Sequence, residues 1–304
     1  MVGLGDLPGG SFYSAAYGLS ADGSTVAGLY HSGAFRWTTG TGMLSLSSPP
    51  AAVSPSWAFG ASDNGSVIVG YGSSASGTEA FRWTSSGGAA RLGDLAGGSF
   101  YSEARAVSGD GSVVVGYSDS ASGNQAFRWT NAGGMVGLGD LAGGSFYSIA
   151  HAVSADGSVV VGQGSSDAGT EAFRWTSGGG MIGLGFLPGG ASFSYARGVS
   201  GDGSVVVGTA VHGFYDYYAA FIWDSVHGTR SLQSVLTTQY GLDLTGWTLN
   251  EATAISSNGQ YITGFGTDPN GNTQAWLVHI PEPNTYRLVA LGGLALFLPR
   301  FARR

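Results

Sequence analysis

The sequence predicts an all-β fold, a six-bladed β-propeller of four-stranded blades, and three observations carry that prediction. Ala-Phe-Arg-Trp recurs at a spacing of 46 residues, at Phe35-Arg36-Trp37, Phe81-Arg82-Trp83, Phe127-Arg128-Trp129 and Phe173-Arg174-Trp175. A variant follows at Phe221-Ile222-Trp223, and a degenerate sixth copy at Ala275-Trp276-Leu277. Such a period means one supersecondary unit copied along the chain. Hairpin signals recur in step with it, at Asp22-Gly23, Asn64-Gly65, Asp110-Gly111, Asp156-Gly157, Asp202-Gly203 and Asn258-Gly259. Helical periodicity is absent from the repeats, and each has room for four short strands.

The elements are easiest to justify between Ser102 and Leu141. Ala104–Ser108 is a short apolar run, closed by the Asp110-Gly111 turn. Ser112–Tyr117 is a β-branched strand, and Ser118–Asn124 a polar loop. Gln125–Thr130 is a third strand with Phe127 and Trp129 on one face and Arg128 on the other. Asn131–Gly134 turns, and Met135–Leu141 is the fourth strand. Four antiparallel strands in about 40–45 residues make a propeller blade. Runs such as Val113–Val115 are apolar on both faces, as expected of a sheet sandwiched between two others. Phe and Trp then wedge between blades.

Fourth strands are expected at Met43–Leu46, Ala89–Leu95, Met135–Leu141, Met181–Leu187 and Thr229–Leu236, but not after Trp276. Met1–Leu7 matches the missing strand and is expected to complete the last blade, leaving no open edge. Met1 also aligns with the internal positions Met135 and Met181. A start inside a longer array, with further repeats upstream, is therefore a second expectation. The propeller takes residues 1–280, and residues 281–304 form a separate C-terminal segment.

Composition narrows the function classes. Gly contributes 55 residues, but at recurring positions, which reads as turns and close packing rather than low complexity. All 12 basic residues are Arg, four of them at or after Arg287, and the net charge is −7. There is no basic stripe to neutralise phosphates, so no nucleic-acid partner is expected. The absence of Cys excludes disulfides, thiolate metal sites and Cys nucleophiles.

The unit Ala-Phe-Arg-Trp-Thr…Gly-Met-Val-Gly-Leu-Gly-Asp-Leu-Ala-Gly-Gly…Val-Ser-x-Asp-Gly-Ser-Val-Val-Val-Gly resembles the HAF family of bacterial extracellular repeats across nearly all of residues 1–280. The His that names that family is replaced here by Gly33, Glu79, Gln125, Glu171, Ala219 and Gln274, so no role is inherited from it. The resemblance implies export and a repeat fold, without a reaction.

The C-terminus resembles a PEP-CTERM sorting signal. Pro281-Glu282-Pro283 precedes the apolar run Leu288–Leu298, followed by Arg300, Arg303 and Arg304. The resemblance implies processing by an exosortase-type enzyme in a Gram-negative, exopolysaccharide-producing bacterium. It also implies transient anchoring in the inner membrane by a short transmembrane helix. The arginines would stay cytoplasmic, leaving the repeats in the envelope or outside the cell. Asn284–Leu298 as a helix spans about 22 Å against roughly 30 Å of hydrocarbon, a gap that snorkelling Arg side chains narrow. The alternative is a C-terminal helix docked on the propeller. Residues 1–20 show no signal peptide, which again points to an internal start.

Catalysis finds little support. His31, His151, His212, His227 and His279 occupy non-equivalent positions without metal-ligand spacing, and no metal or cofactor is expected. The recurring Asp22, Asp110, Asp156 and Asp202 are turn residues. Asp268-Pro269-Asn270-Gly271-Asn272 faintly resembles a Ca²⁺ loop but reads better as a turn. Ion pairs of Arg82 with Asp94 and Arg128 with Asp140 would be optional, since Arg36 and Arg174 lack the Asp.

Aromatic loops are the better lead. The d–a and b–c connections of a meander emerge at one end of the ring, calling the strands of each blade a to d. That end carries Phe12-Tyr13, Phe100-Tyr101, Phe146-Tyr147, Phe193 with Tyr195, and Trp57 in the second blade. Two breaks in the repeat fall there: Val211–Tyr218, which adds Phe214, Tyr215, Tyr217 and Tyr218, and the lengthened Gln233–Trp247. Rings with hydroxyl rims suit stacking on sugar C–H faces. The expectation is a non-enzymatic, exported propeller binding extracellular or envelope polysaccharide. A protein-interaction or matrix-structural module without a sugar site is the alternative. A polysaccharide lyase or hydrolase would need an acid/base pair that these loops do not supply.

Overall fold

Each repeat folds as an antiparallel meander, because its Ser-x-Asp/Asn-Gly segment builds the first turn from its own side chains. In the third repeat the Ser108 hydroxyl donates to Asp110 at 2.6 Å and accepts from the Val113 amide at 3.0 Å. Asp110 accepts from the Ser112 amide, and Gly111 takes a φ of 75°, which suits glycine. The structure, a computed structural model, describes residues 3–8, 11–46, 53–190, 192–212 and 217–280.

Blade 1 comprises β1 (Ser14–Leu19), β2 (Thr25–Tyr30), β3 (Gly33–Thr38) and β4 (Gly42–Ser45). Blade 2 comprises β5 (Ser54–Ala61), β6 (Val67–Ser73), β7 (Thr78–Thr84) and β8 (Gly88–Arg91). Blade 3 has β9 (Ser102–Val107), β10 (Val113–Ser120), β11 (Gly123–Thr130) and β12 (Gly134–Gly137). Blade 4 has β13 (Gly143–Val153), β14 (Val159–Ser166), β15 (Gly169–Thr176) and β16 (Gly180–Gly183). Blade 5 has β17 (Ser194–Val199), β18 (Val205–His212), β19 (Tyr217–Asp224) and β20 (Gly228–Ser231), followed by helix α1 (Leu232–Tyr240). Blade 6 has β21 (Thr248–Ile255), β22 (Tyr261–Thr267) and β23 (Thr273–His279). Every sheet is a simple meander, and the fold is an all-β, six-bladed propeller. Strand a is innermost, since β1, β5, β9, β13, β17 and β21 each touch the next in that order.

The blades are joined by three recurring contacts. Phe81, Phe127, Phe173 and Phe221 are fully buried against the preceding blade, as Phe127 is against Val67, Val69, Leu92 and Leu95. A buried Ser at the start of strand a forms the second contact. The Ser102 hydroxyl accepts from the Ala80 amide at 2.9 Å and donates to the Gly93 carbonyl at 2.6 Å, both in blade 2. Ser148 and Ser194 repeat both bonds. Third, the repeated Arg reaches the next blade's first turn: Arg82 to Gly111, Arg128 to Gly157 and Arg174 to Gly203, at 3.0–3.4 Å. The ion pairs considered for Arg82 and Arg128 are not among those of the described residues. Asp140 instead accepts from the Leu141 and Tyr147 amides.

Three expected elements differ. The fourth strands stop four residues early, at Arg91, Gly137 and Gly183. A glycine at φ near +80° (Gly93, Gly139, Gly185) turns the chain out of the ladder, and the leucines on either side become buried plugs. In blade 5 the segment expected as Thr229–Leu236 is strand only to Ser231. Helix α1, capped by Ser231 and Gly241, then places Leu232, Val235 and Leu236 in the core between blades 5 and 6. Finally, residues 3–8 contain no strand, and the sixth sheet has three strands among the described residues. Met1 and Val2, the rest of the expected closing strand, lie outside them. Gly3–Leu7 matches the turned-out tail of a fourth strand, with Gly5 at φ 83°.

Phe127→Ala removes the largest plug of one interface and is expected to cost about 3–5 kcal/mol, read from the urea midpoint. A loss below about 1 kcal/mol would show that Phe127 is not a wedge.

Candidate functional site

The inner wall of the propeller is built on a bulge. Strand a of every blade slips register by one residue against strand b, between Ala16 and Gly18, Ala58 and Gly60, Ala104 and Ala106, Ala150 and Ala152, Ala196 and Gly198, and Ala252 and Ala254. The facing residue on strand b is always Gly: 28, 70, 116, 162, 208 and 264. A Cβ there would run into the strand-a carbonyl just before the bulge, for example Glu103 opposite Gly116. A bulge bends the strand and re-aims one side chain. The six residues so aimed are Tyr17, Phe59, Arg105, His151, Arg197 and Thr253, each different in character from the Ala that precedes it.

These side chains join with strand-a and strand-b residues into a continuous aromatic and polar wall. Tyr17 lies 5.7 Å from both Trp57 and Phe59, centroid to centroid. Trp57 stacks on its ladder partner Tyr71 at 6.2 Å and 12°. The Arg105 guanidinium sits 5.1 Å over Phe59 and 5.5 Å over Tyr117, and pairs with Glu103 at 2.8 Å. Tyr101 donates a short hydrogen bond to Glu103 and lies beside Tyr117. In blade 4, His151 Nε2 meets Gln163 at 3.3 Å, and Gln163 donates to the Tyr147 hydroxyl at 3.0 Å. In blades 5 and 6, Arg197 lies 4.4 Å over Tyr195 and pairs with Glu251 at 3.2 Å, while Tyr195 donates to Glu251 at 2.8 Å.

The electrostatics follow from burial and these pairings. Burial raises the Tyr71, Tyr117 and Tyr195 phenols, and raises Tyr101 further with help from Glu103, so all four stay protonated donors. Burial, reinforced by the positive Arg197 and Arg105, lowers His151 to about 4. It is a neutral imidazole at neutral pH. The wall offers ring faces, hydroxyls, one imidazole and two Arg–Glu pairs.

The structure distributes the expected site residues unevenly. Tyr13 and Trp57 share a hollow of about 410 Å³ with Ser11, Tyr30 and His31. Tyr195 and Tyr218 share another of about 460 Å³ with Asn250, Glu251 and Phe265, and Tyr218 packs on Phe193 at 6.0 Å. Tyr101 and Tyr147 belong to the wall. Trp57 and Tyr195 are not at the repeat position of Tyr13, Tyr101 and Tyr147; they lie two residues further on. Phe214 and Tyr215 lie outside the described residues, as does the side chain of Tyr217, whose backbone pairs with His212. The sorting-signal residues Pro281, Glu282, Pro283, Arg300, Arg303 and Arg304 also lie outside them. The lengthened Gln233–Trp247 supplies α1 to the core, and the helix end at Gln239 and Tyr240 sits with Asp202 and Asn258 at the opposite, a–b turn end. Asp268 is spent on its own turn, accepting from the Asn270 and Asn272 amides and from the side chains of Asn272 and Gln274.

Sequence reasoning missed Phe59, Tyr71, Glu103, Arg105, Tyr117, His151, Arg197 and Glu251. The usable signal was variation: the residue after the repeated Ala is Tyr, Phe, Arg, His, Arg and Thr in the six blades, while the residue before it is always Ala and the one after it always Gly or Ala.

No family model and no curated protein matches the chain. Among solved structures, a putative TolB from Agrobacterium tumefaciens is similar at a TM-score of 0.51 and 13% identity, covering 88% of this chain and 90% of that one. TolB from Acinetobacter baumannii follows at 0.46 and 16%, covering 70% of this chain and 52% of that one. Porphyromonas gingivalis dipeptidyl peptidase 4 is at 0.44 and 12%, covering 85% of this chain and 41% of that one. The first likeness supports the propeller fold alone, and the two below 0.5 carry no argument. Among the described residues no helix is long and apolar enough to cross a membrane.

His151 generates a pH prediction. Its folded value of about 4 lies below the ordinary 6.5, so between these values the unfolded chain binds the extra proton. Stability should rise with pH across that window and fall as pH drops from 6.5 to 4. His151→Gln should flatten this part of the profile in urea midpoints taken from pH 4 to 7; an unchanged slope would contradict the neutral imidazole.

Proposed function

We propose that this chain is an exported, non-enzymatic propeller that binds extracellular or envelope polysaccharide through its aromatic inner wall and adjoining rim. The observation carrying this reading is the Trp57–Tyr71 stack, flanked by Tyr17 and Phe59, with Trp57 also lining the hollow that holds Tyr13. Stacked rings with polar edges suit the alternating C–H faces and hydroxyls of a sugar chain. The Arg105–Glu103 and Arg197–Glu251 pairs supply charged donors and acceptors for those hydroxyls. The six equivalent positions of the wall carry five residue types, Arg occurring twice, which suits an asymmetric polymer better than a symmetric one.

Residues 281–304 are proposed to act as a sorting signal cut by an exosortase-type enzyme, after brief retention in the inner membrane. Expression in an exopolysaccharide-producing Gram-negative host should yield a secreted or envelope form whose mass ends near Pro281-Glu282-Pro283; an intact cytoplasmic chain would refute this.

For binding, Trp57→Ala with Tyr71→Ala should weaken retention on exopolysaccharide at least tenfold in affinity electrophoresis, with the melting curve still cooperative. Unchanged retention would move the site elsewhere. Retention of a protein partner but of no polysaccharide would favour the interaction-module reading, and release of reducing ends or unsaturated sugars would identify an enzyme.

A further inference from the structure

Five of the six junctions around the ring share a buried strand-a alanine and a backbone bond between first turns, and the sixth, between blade 6 and blade 1, has neither among the described residues. The strand-a alanines Ala58, Ala104, Ala150, Ala196 and Ala252 are fully buried, whereas Ala16 of blade 1 is exposed. Leu19 beside it is 63% exposed. On the opposing wall, the paired valines that close blades 2, 3 and 4 (such as Val113 and Val115) are replaced by Tyr261, 43% exposed, and the exposed Thr263. Leu277, in the place of the latch Arg, is 67% exposed. Backbone bonds step from blade to blade along the first turns: Asp22 to Asp63, Asp63 to Gly109, Gly109 to Ala155, Ala155 to Gly201, and Gly201 to Ser257. Among the described residues no such bond returns from Ser257 to blade 1.

The segment ahead of blade 1 shows what is missing. Asp6 accepts from the Leu7 and Tyr13 amides, as Asp140 does from Leu141 and Tyr147. Ser14 donates to the Gly5 carbonyl, as Ser148 does to Gly139. Residues 3–7 are thus seated on blade 1 as the tail of a preceding fourth strand. Yet among the described residues no strand-c amide donates to Ser14, where Ala80, Ala126 and Ala172 serve the equivalent serines. The leucine amide that bonds the strand-c alanine carbonyl in blades 1 to 4, as Leu138 does to Ala126, has no counterpart from Leu4 to blade 6 among the described residues. Among those residues, blade 6 therefore does not supply the strand c that this tail matches.

We propose that this seam is a docking surface for one further unit of the 46-residue repeat, inserted as a blade between blade 6 and blade 1. Its Phe and Ala would cover Tyr261 and Thr263, its valines would cover Ala16 and Leu19, and its strand-c amide would reach Ser14. Large exposed apolar walls with built-in complementarity are characteristic of interaction surfaces.

The chain has no Cys, so paired substitutions report on the seam cleanly. In the full chain, Gly201→Cys with Ser257→Cys should form a disulfide on oxidation, because their backbones are hydrogen-bonded at 2.8 Å across a closed junction. Ala21→Cys with Ser257→Cys should not. Placing a second copy of residues 96–136 ahead of Gly3, in place of Met1 and Val2, should raise the melting temperature by roughly 5 °C or more. Leu19→Asp should be near neutral in the unextended chain and destabilising in the extended one. Three results would overturn the proposal: a ready 21–257 disulfide (direct closure), a dimer that Leu19→Asp dissociates (a second copy in the seam), or an extension that leaves both the melting temperature and the Leu19→Asp response unchanged. An extension built from residues 142–182 provides a second trial, and failure of both to fold would also count against it.

Discussion

The structure depends on a side chain that is missing. At the strand-b position held by Gly116 and its five equivalents, the neighbouring strand's carbonyl occupies the space a Cβ would need. That close approach lets strand a bulge, and the bulge turns one residue per blade toward the axis. Scaffold and site thus meet in one backbone contact: constant residues make the bulge, and the residue it re-aims is free to vary. Where a Gly recurs in a strand interior, a close backbone approach is the usual reason.

Around that contact the blades are held by apolar wedges and by a few buried polar bonds. The wedges supply the bulk of the stabilisation, because a buried Phe contributes more than a single net hydrogen bond. The serines and arginines do something different. A buried hydroxyl that both accepts and donates across the junction satisfies groups that would otherwise be orphaned, and so sets the register of one blade on the next. The Ala-Phe-Arg-Trp motif thereby acquires a division of labour. Its Phe fills the junction behind, and its Arg, on the other face, reaches the turn of the blade ahead.

The strands were legible because their signals are local. Asp-Gly turns, β-branched runs and a fixed period place a blade's strands to within a few residues, as at β9, β10 and β11. The fourth strand was read too long because Leu-Gly-Asp-Leu looks like a ladder until Gly93 or Gly139 takes a positive φ. Helix α1 escaped because its leucines follow plug positions shared with the non-helical repeats. The aromatic residues Tyr101, Tyr147, Trp57 and Tyr195 share the wall with Arg105, His151 and Arg197. Nothing in the local sequence of those three says that a bulge re-aims them.

By itself, the sequence determined the blade: its period, its turns and its apolar faces. These are set by neighbours along the chain, so they survive without knowledge of the third dimension. Only the tertiary structure decided which residues share the inner wall, because Tyr17, Phe59, Arg105 and His151 lie 42 to 46 residues apart and meet only when the blades curve. It also decided that, among the described residues, no turn-to-turn bond joins blade 6 to blade 1, since a period can count blades but cannot say whether the last one reaches the first.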